Sequence, residues 1–272
     1  MKKLTDDFLA ESMALESLIK EQKQDVFETT TQFKNWTIYD VIAHLHLWNM
    51  AALWTLEDSE KNTQRFVEFF KIVMAQITNG ATHQDIQRRW TATEGLKNGA
   101  DLFSAWQKGF KSTAREFSKA NSEHRVKWGG PDMSVASCII ARQMETWAHA
   151  QAVFDVLGKD RVDTDRLKNV AHIGVTTYSW SFNVRGLTPI KPKPYIRLIS
   201  PSGDIWEWND PQNDNSVTGS ATEFCQVVTQ TRNIEDTNIV CIGEVAKTWM
   251  SIAQCFAGGV EAPPIKGSRF KS

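Results

Sequence analysis

A mainly helical protein with a smaller α+β domain at its C-terminus is the fold class this sequence predicts. Three observations carry that prediction. Apolar residues recur at spacings of three and four through roughly the first 160 residues. The run Thr188-Pro189-Ile190-Lys191-Pro192-Lys193-Pro194 cannot be helical and makes an extended connector. Strand-like runs then alternate with capped helical ones, as in small α+β domains. The chain divides accordingly into a helical domain over 1–160 and an α+β domain over 161–272.

The first helix covers roughly residues 4–22, with Leu4, Phe8, Leu9, Met13, Leu15, Leu18 and Ile19 at helical spacing. Thr37-Ile38-Tyr39-Asp40 has the form of a capping box, in which Thr37 caps the helix and Asp40 reaches back to the cap. The helix it opens runs through His44 to about Leu56, with Ile38, Val41, Leu45, Trp48 and Ala52 as its apolar stripe. Further helical patterns span roughly 62–78 and 100–120. Gly129-Gly130-Pro131 breaks the chain before a long helix from about 134 to Leu157, which Gly158 stops. Val135, Ile139, Ile140, Met144, Trp147, Val153, Phe154 and Leu157 spread around that helix, so it is a buried one. Long helices around a buried member make an up-down bundle, and such bundles build metal sites from facing helices.

In the second domain, Tyr195 to Ser200 and Ile205 to Trp208 flank Pro201-Ser202-Gly203-Asp204, a hairpin signal. Ser220-Ala221-Thr222-Glu223 is a second capping box and opens a helix to about residue 231. Asn238 to Ile242 predicts a strand, and Glu244 to Phe256 a final amphipathic helix ended by Gly258-Gly259.

Composition narrows the function. With 41% apolar and 23% charged residues in 272, the chain can bury a sizeable core. A net charge of −1 and no basic run longer than two residues give no footprint for nucleic acid. Cys138, Cys225, Cys241 and Cys255 form no CxxC pair, which fits reduced thiols in the cytoplasm. Met1-Lys2-Lys3 is followed by acidic residues rather than an apolar stretch, and no run approaches ~20 apolar residues. A cytoplasmic protein with no membrane partner is expected.

The chemistry concentrates in Arg142-Gln143-Met144-Glu145-Thr146-Trp147-Ala148-His149. Glu145 and His149 are four apart, so they project from one helix face and can share a divalent ion. The plain alternative pairs Glu145 with Arg142. On a buried helix, however, such charges must be paired or metal-bound. A third ligand from another helix would leave one position open, as reactive rather than structural sites do. His44 and His46 both qualify. They lie on opposite margins of the second helix's stripe at about 100° per residue, and periodicity does not choose between them. Asp40 is placed either to cap that helix or to orient His44 one turn on. His83, His124 and His172 have no ligand-type residue at helical spacing and suit surface or capping positions.

Two segments resemble a known family. Trp36-Thr37-Ile38-Tyr39-Asp40-Val41-Ile42-Ala43-His44-Leu45 resembles the W-T-x-x-D-x-x-x-H-L segment of the DinB-like superfamily, in its mycothiol-dependent maleylpyruvate isomerase branch. The stretch from Arg142 to His149 resembles that branch's R-x-x-E-x-x-x-H segment. Later strings fit as well, among them His172-Ile173-Gly174-Val175, Phe224-Cys225-Gln226-Val227 and Ile252-Ala253-Gln254-Cys255. The resemblance implies a DinB-type four-helix bundle followed by a sterol-carrier-like α+β domain. It implies a metal held by His44, Glu145 and His149, since the family ligand is the histidine followed by leucine. The metal would be divalent, zinc first, with nickel, iron or manganese as alternatives.

The same resemblance implies a low-molecular-weight thiol as cofactor and a small maleylpyruvate-like electrophile as substrate, in a thiol-dependent isomerase or transferase. Arg142 and Arg185 are then the candidate cations for substrate carboxylates. A homodimer is a further implication. The competing reading is a non-catalytic metal-binding or small-ligand-binding stress protein. The C-terminal half also resembles a module named for wyosine base formation in tRNA, a reading that the near-neutral charge disfavours.

Overall fold

The computed structural model describes residues 1–271, apart from the side chain of Gln24. In chain order the described residues form α1 (Lys2–Lys20), α2 (Ile38–Lys61), α3 (Arg65–Thr78), α4 (His83–Thr93), α5 (Gly99–Lys119), β1 (Arg125–Val126), β2 (Met133–Ser134) and α6 (Val135–Val156). There follow α7 (Lys168–Thr176), α8 (Tyr178–Asn183), β3 (Tyr195–Ile199), β4 (Ile205–Trp208), β5 (Ser216–Ser220), α9 (Ala221–Val228), β6 (Val240–Ile242) and α10 (Glu244–Ile252). Two compact units result, one over Met1–Val156 and one from Leu157 onward. The fold is mainly helical with a C-terminal α+β part, as the sequence patterns predict. No helix among the described residues is long and apolar enough to cross a membrane.

In the first unit α1, α2, α5 and α6 make the bundle, with α1 and α2 each packed on α5 and α6. Phe8, Leu15, Leu45, Trp106, Phe110 and Ile139 are fully buried between them. The predicted capping box forms at α2: Thr37 accepts from the Asp40 backbone N–H while the Asp40 carboxylate accepts from Thr37 N at 3.0 Å. On α6 Ser137 alone is exposed, consistent with a helix that has no polar side. Gly158 takes φ +61° just past its end, the left-handed turn a terminating glycine supplies.

The helix α4 departs from the sequence expectation. It packs on α2 beside α3, and the pattern missed it because only Ile86 and the half-buried Trp90 are large apolar residues among its eleven. Its start was legible, since Thr82-His83-Gln84-Asp85 forms a complete capping box. The short β1–β2 pair, registered Arg125↔Ser134, was also unforeseen.

The second unit holds a four-stranded sheet of order β4-β3-β5-β6. The predicted hairpin is β3–β4, while β5 lies parallel to β3 and antiparallel to β6. The sequence did not suggest β5, whose Ser216-Val217-Thr218-Gly219-Ser220 has little strand composition. Pairing on both sides overrides that weakness. Neither α7 nor α8 was foreseen as a helix. The strand expected from Asn238 begins at Val240, and α9 ends at Val228 rather than near 231. The last helix stops at Ile252 rather than Phe256, because tertiary bonds claim the next backbone groups. Gln254 N donates to Ser181 Oγ at 3.1 Å, and Cys255 N donates to Val228 O at 3.0 Å.

Candidate metal centre

His44 sits on the second turn of α2, and what precedes it fixes where that turn points. Asp40 is fully buried and accepts from Thr37, from Gln84 at 2.7 Å, and from Arg88 through Nε at 2.6 Å and Nη2 at 2.8 Å. Burial pushes the Asp40 pKa up, but the bonds from Arg88, Thr37 and Gln84 outweigh it and hold the carboxyl below its ordinary value. Asp40 therefore caps α2 and ties it to α4. No hydrogen bond joins it to His44 among the described residues.

Opposite, on α6, Glu145 and His149 are one turn apart, and His44 comes to meet them. Glu145 Oε2 lies 3.3 Å from His44 Nε2 and 3.3 Å from His149 Nε2. One donor atom from each residue falls within 4.8 Å of the others. The alternative pairing of Glu145 with Arg142 does not form among the described residues.

Two physical observations bear on a metal. At 3.3 Å the contacts lie beyond the usual reach of a good N–H···O bond, about 2.7–3.2 Å. Bonds of about 2.0–2.1 Å to a tetrahedral ion would set its ligand atoms roughly 3.3 Å apart. The protonation states also suit a cation. Burial, helped by the nearby His149 charge, lowers the His44 pKa to about 3, so the imidazole is neutral. Burial works to raise the Glu145 pKa, but His149 and His44 outweigh it and hold the carboxyl well below its ordinary range. A neutral imidazole at His44 and an ionised carboxylate at Glu145 are the forms in which these groups bind a divalent ion. The side chains keep 11% (His44), 20% (Glu145) and 12% (His149) exposure, so the cluster is not sealed.

Aromatic rings hold the two imidazoles. Trp36 stacks on His149 at 5.7 Å and 3°, and lies 5.3 Å from His44. Phe33 meets His149 edge-on at 5.0 Å and Trp36 likewise. Lys34 and Asn35 between them take φ +50° and +57°, a left-handed pair that turns the chain so that Trp36 N donates to Phe33 O at 2.8 Å. The residue typing that found His44, Glu145 and His149 did not find these walls, although Trp36 directly precedes the capping box.

The other sequence candidates lie elsewhere. His46 faces α4 and α5, where its ring is 5.2 Å from Trp90 and a Cβ on Gly109 would come within 2.9 Å of Nδ1. That nitrogen has no hydrogen-bond partner, and burial lowers the His46 pKa to about 4. Arg142 is 2% exposed, donates from Nε to Asn49 Oδ1 at 3.1 Å, and leaves Nη2 buried without a partner. Burial lowers its pKa, yet a guanidinium stays charged in proteins, and that charge acts on His44 and Glu145. Arg185, in the second unit, donates from Nη1 to Ser181 O at 2.9 Å and from Nη2 to Glu261 O at 2.5 Å.

Comparison with known proteins gives the chain a family. The family model for the mycothiol maleylpyruvate isomerase N-terminal domain matches residues 8–154, which contain all three cluster residues. Two uncharacterized proteins, from two strains of Mycobacterium tuberculosis, are each 36% identical over 262 residues, covering 96% of both chains. The crystal structure of the mycothiol-dependent maleylpyruvate isomerase superposes with a TM-score of 0.52 at 14% identity, over 83% of this chain and 87% of that one. A histidine-to-alanine mutant of that enzyme gives the same TM-score at 13% identity. At that identity the likeness speaks for the fold, while the family model and the full-length relatives go further: the chain belongs to the mycothiol maleylpyruvate isomerase N-terminal domain family.

Proposed function

We propose that this chain is a metal- and thiol-dependent isomerase or transferase acting on a small electrophile of the maleylpyruvate kind. His44, Glu145 and His149 would hold one divalent ion, with zinc first and nickel, iron or manganese as alternatives. The observation that carries the reading is the convergence of two imidazoles on one carboxylate oxygen, with His44 Nε2 and His149 Nε2 each 3.3 Å from Glu145 Oε2. When bound, such an ion lowers the pKa of a thiol at its remaining position, which makes that thiol a nucleophile near neutral pH.

The residues around it have separate tasks. Glu145 supplies the negative charge that offsets part of the ion's, while the imidazoles supply neutral donors. Trp36 and Phe33 pack against His149 and keep bulk water from that side of the cluster. Arg142 contributes a buried positive charge that favours an anionic species at the centre. Its 2% exposure suits action through that field better than direct contact with a substrate carboxylate. Arg185 remains a candidate substrate cation only by its charge, since both terminal nitrogens already bond carbonyls.

Metal analysis of protein purified without added metal tests the reading. Close to one equivalent of a divalent transition metal, lost in Glu145→Gln, is the expected result. Less than about a tenth of an equivalent would overturn it, because a site of this donor set competes well for available metal. Full loading with no turnover of any activated alkene across several thiols would leave the non-catalytic binding role instead.

A further inference from the structure

Of the five residues on the predicted stripe of α2, Ile38, Val41, Leu45 and Ala52 are fully buried and Trp48 is not. A tryptophan left half-buried on a core-facing stripe keeps part of its ring open to solvent. Trp48 follows His44 by four residues, so both project from the same face of α2, and their ring centroids are 6.3 Å apart. The rings continue from there. Trp128, on the connection between β1 and β2, is 5.7 Å from Trp48, and Phe69 of α3 is 6.1 Å from it. Trp128 stacks on Phe66 at 5.6 Å and 7°, and Phe66 stacks on Phe70 at 5.7 Å and 15°. Trp48, Phe69, Phe70 and Trp128 are all only partly buried.

Partly exposed rings that adjoin one another, starting at a metal-type ligand, favour a flat apolar partner. Stacking favours such a partner beyond the area it buries. Polar partners fare worse there. Phe66, Phe69 and Phe70 have no polar side-chain atom, and each indole has a single N–H. A second carboxylate or a sugar hydroxyl laid on these rings would give up water and gain almost no hydrogen bonds.

We propose that this run of rings is the substrate wall of the candidate metal centre, and that the electrophile it takes is a conjugated carbonyl compound bearing a flat aromatic group rather than a small dicarboxylate. The proposal rests on the metal reading above and revises its substrate, from a maleylpyruvate-like diacid to an aryl-bearing conjugated carbonyl compound. Trp48 is the specificity-determining residue, because it stands between the cluster and the remaining rings.

Equilibrium dialysis of the full-length, zinc-loaded protein without thiol tests it. The probes are benzylideneacetone, the ring-free enone mesityl oxide, and maleate. Benzylideneacetone is expected to bind about tenfold more tightly than either of the others. Trp48→Ala should bring that ratio close to one, and Trp48→Phe should keep most of it. Trp128→Ala, on a short surface connection, should lower the ratio in the same direction if Trp48→Ala fails to fold. Equal binding of the two enones, tighter binding of maleate, or an unchanged ratio in a folded Trp48→Ala protein would overturn the proposal. Zinc content in the same samples separates the two readings. Ring preference without zinc sinks the metal site and keeps the wall, and zinc without ring preference does the reverse.

Discussion

His44 and His46 are two residues apart on one helix, both are buried, and their surroundings are opposite in kind. His44 looks toward α6 and meets a carboxylate and a second imidazole. His46 looks toward α4 and α5 and meets an indole and a glycine. Burial alone therefore does not mark a candidate metal ligand. Both imidazoles are pushed toward neutrality by desolvation, but only one finds donors that a cation could share.

The largest effects should fall on the α6 side of that comparison. Glu145→Gln is expected to weaken zinc binding by more than about a hundredfold, since loss of mere outer-shell partners costs 10–100-fold. Competition against a chromogenic chelator measures it. His46→Leu should leave the zinc affinity unchanged, and a comparable loss there would break the distinction between the two faces. Zinc at about a hundred times its Kd should stabilise the protein by about 2.7 kcal/mol, read as a rise in melting temperature. His44→Ala should abolish that rise and His46→Leu should preserve it.

Acid sharpens the comparison from the other side. In the metal-free fold both imidazoles are neutral, with pKa values lowered from 6.5 to about 3 and about 4. The unfolded chain takes up these protons below pH 6.5, so the stability they contribute is present above that pH and lost progressively as pH falls from it to about 4 for His46 and about 3 for His44. Each group adds about 1.4 kcal/mol per pH unit in the window between its two pKa values. Urea unfolding of metal-free His46→Leu between pH 6.5 and about 4 should show a shallower loss than the parent. An unchanged slope would mean that His46 is protonated in the fold. Smaller again, Arg88→Ala should cost about 1.5–3 kcal/mol by removing the charge-assisted pair to Asp40, with Thr37 and Gln84 retaining their bonds.

Much of this contrast was legible in the residues, and some was not. The capping box placed α2, and the four-residue spacing of Glu145 and His149 placed two donors on one face. The choice of His44 over His46 was not made on the helical wheel, because each histidine lies on one margin of the stripe and either margin could face a partner helix. The leucine after His44 decided it by resemblance alone. Helix α4 was missed, although it supplies both Arg88 and the Trp90 ring beside His46, because its sequence is mostly polar and it relies on contacts with α2. The aromatic wall was hidden for a different reason. Trp48 has the right residue type and phase for the core, and only the packing of α3 and the β1–β2 connection leaves its ring partly open.

Asp40 answers to two masters at once. The same carboxylate closes the first turn of α2 and receives the guanidinium from α4, so the helix has a single rotational phase that satisfies both. At about 100° per residue, His44 trails Asp40 by only about 40° in azimuth and Trp48 by about 80°. A slip of one residue in this helix would swing both rings by a quarter-turn and more, His44 away from Glu145 and Trp48 away from Trp128. Where the imidazole and the indole point is thus settled at the helix's very beginning.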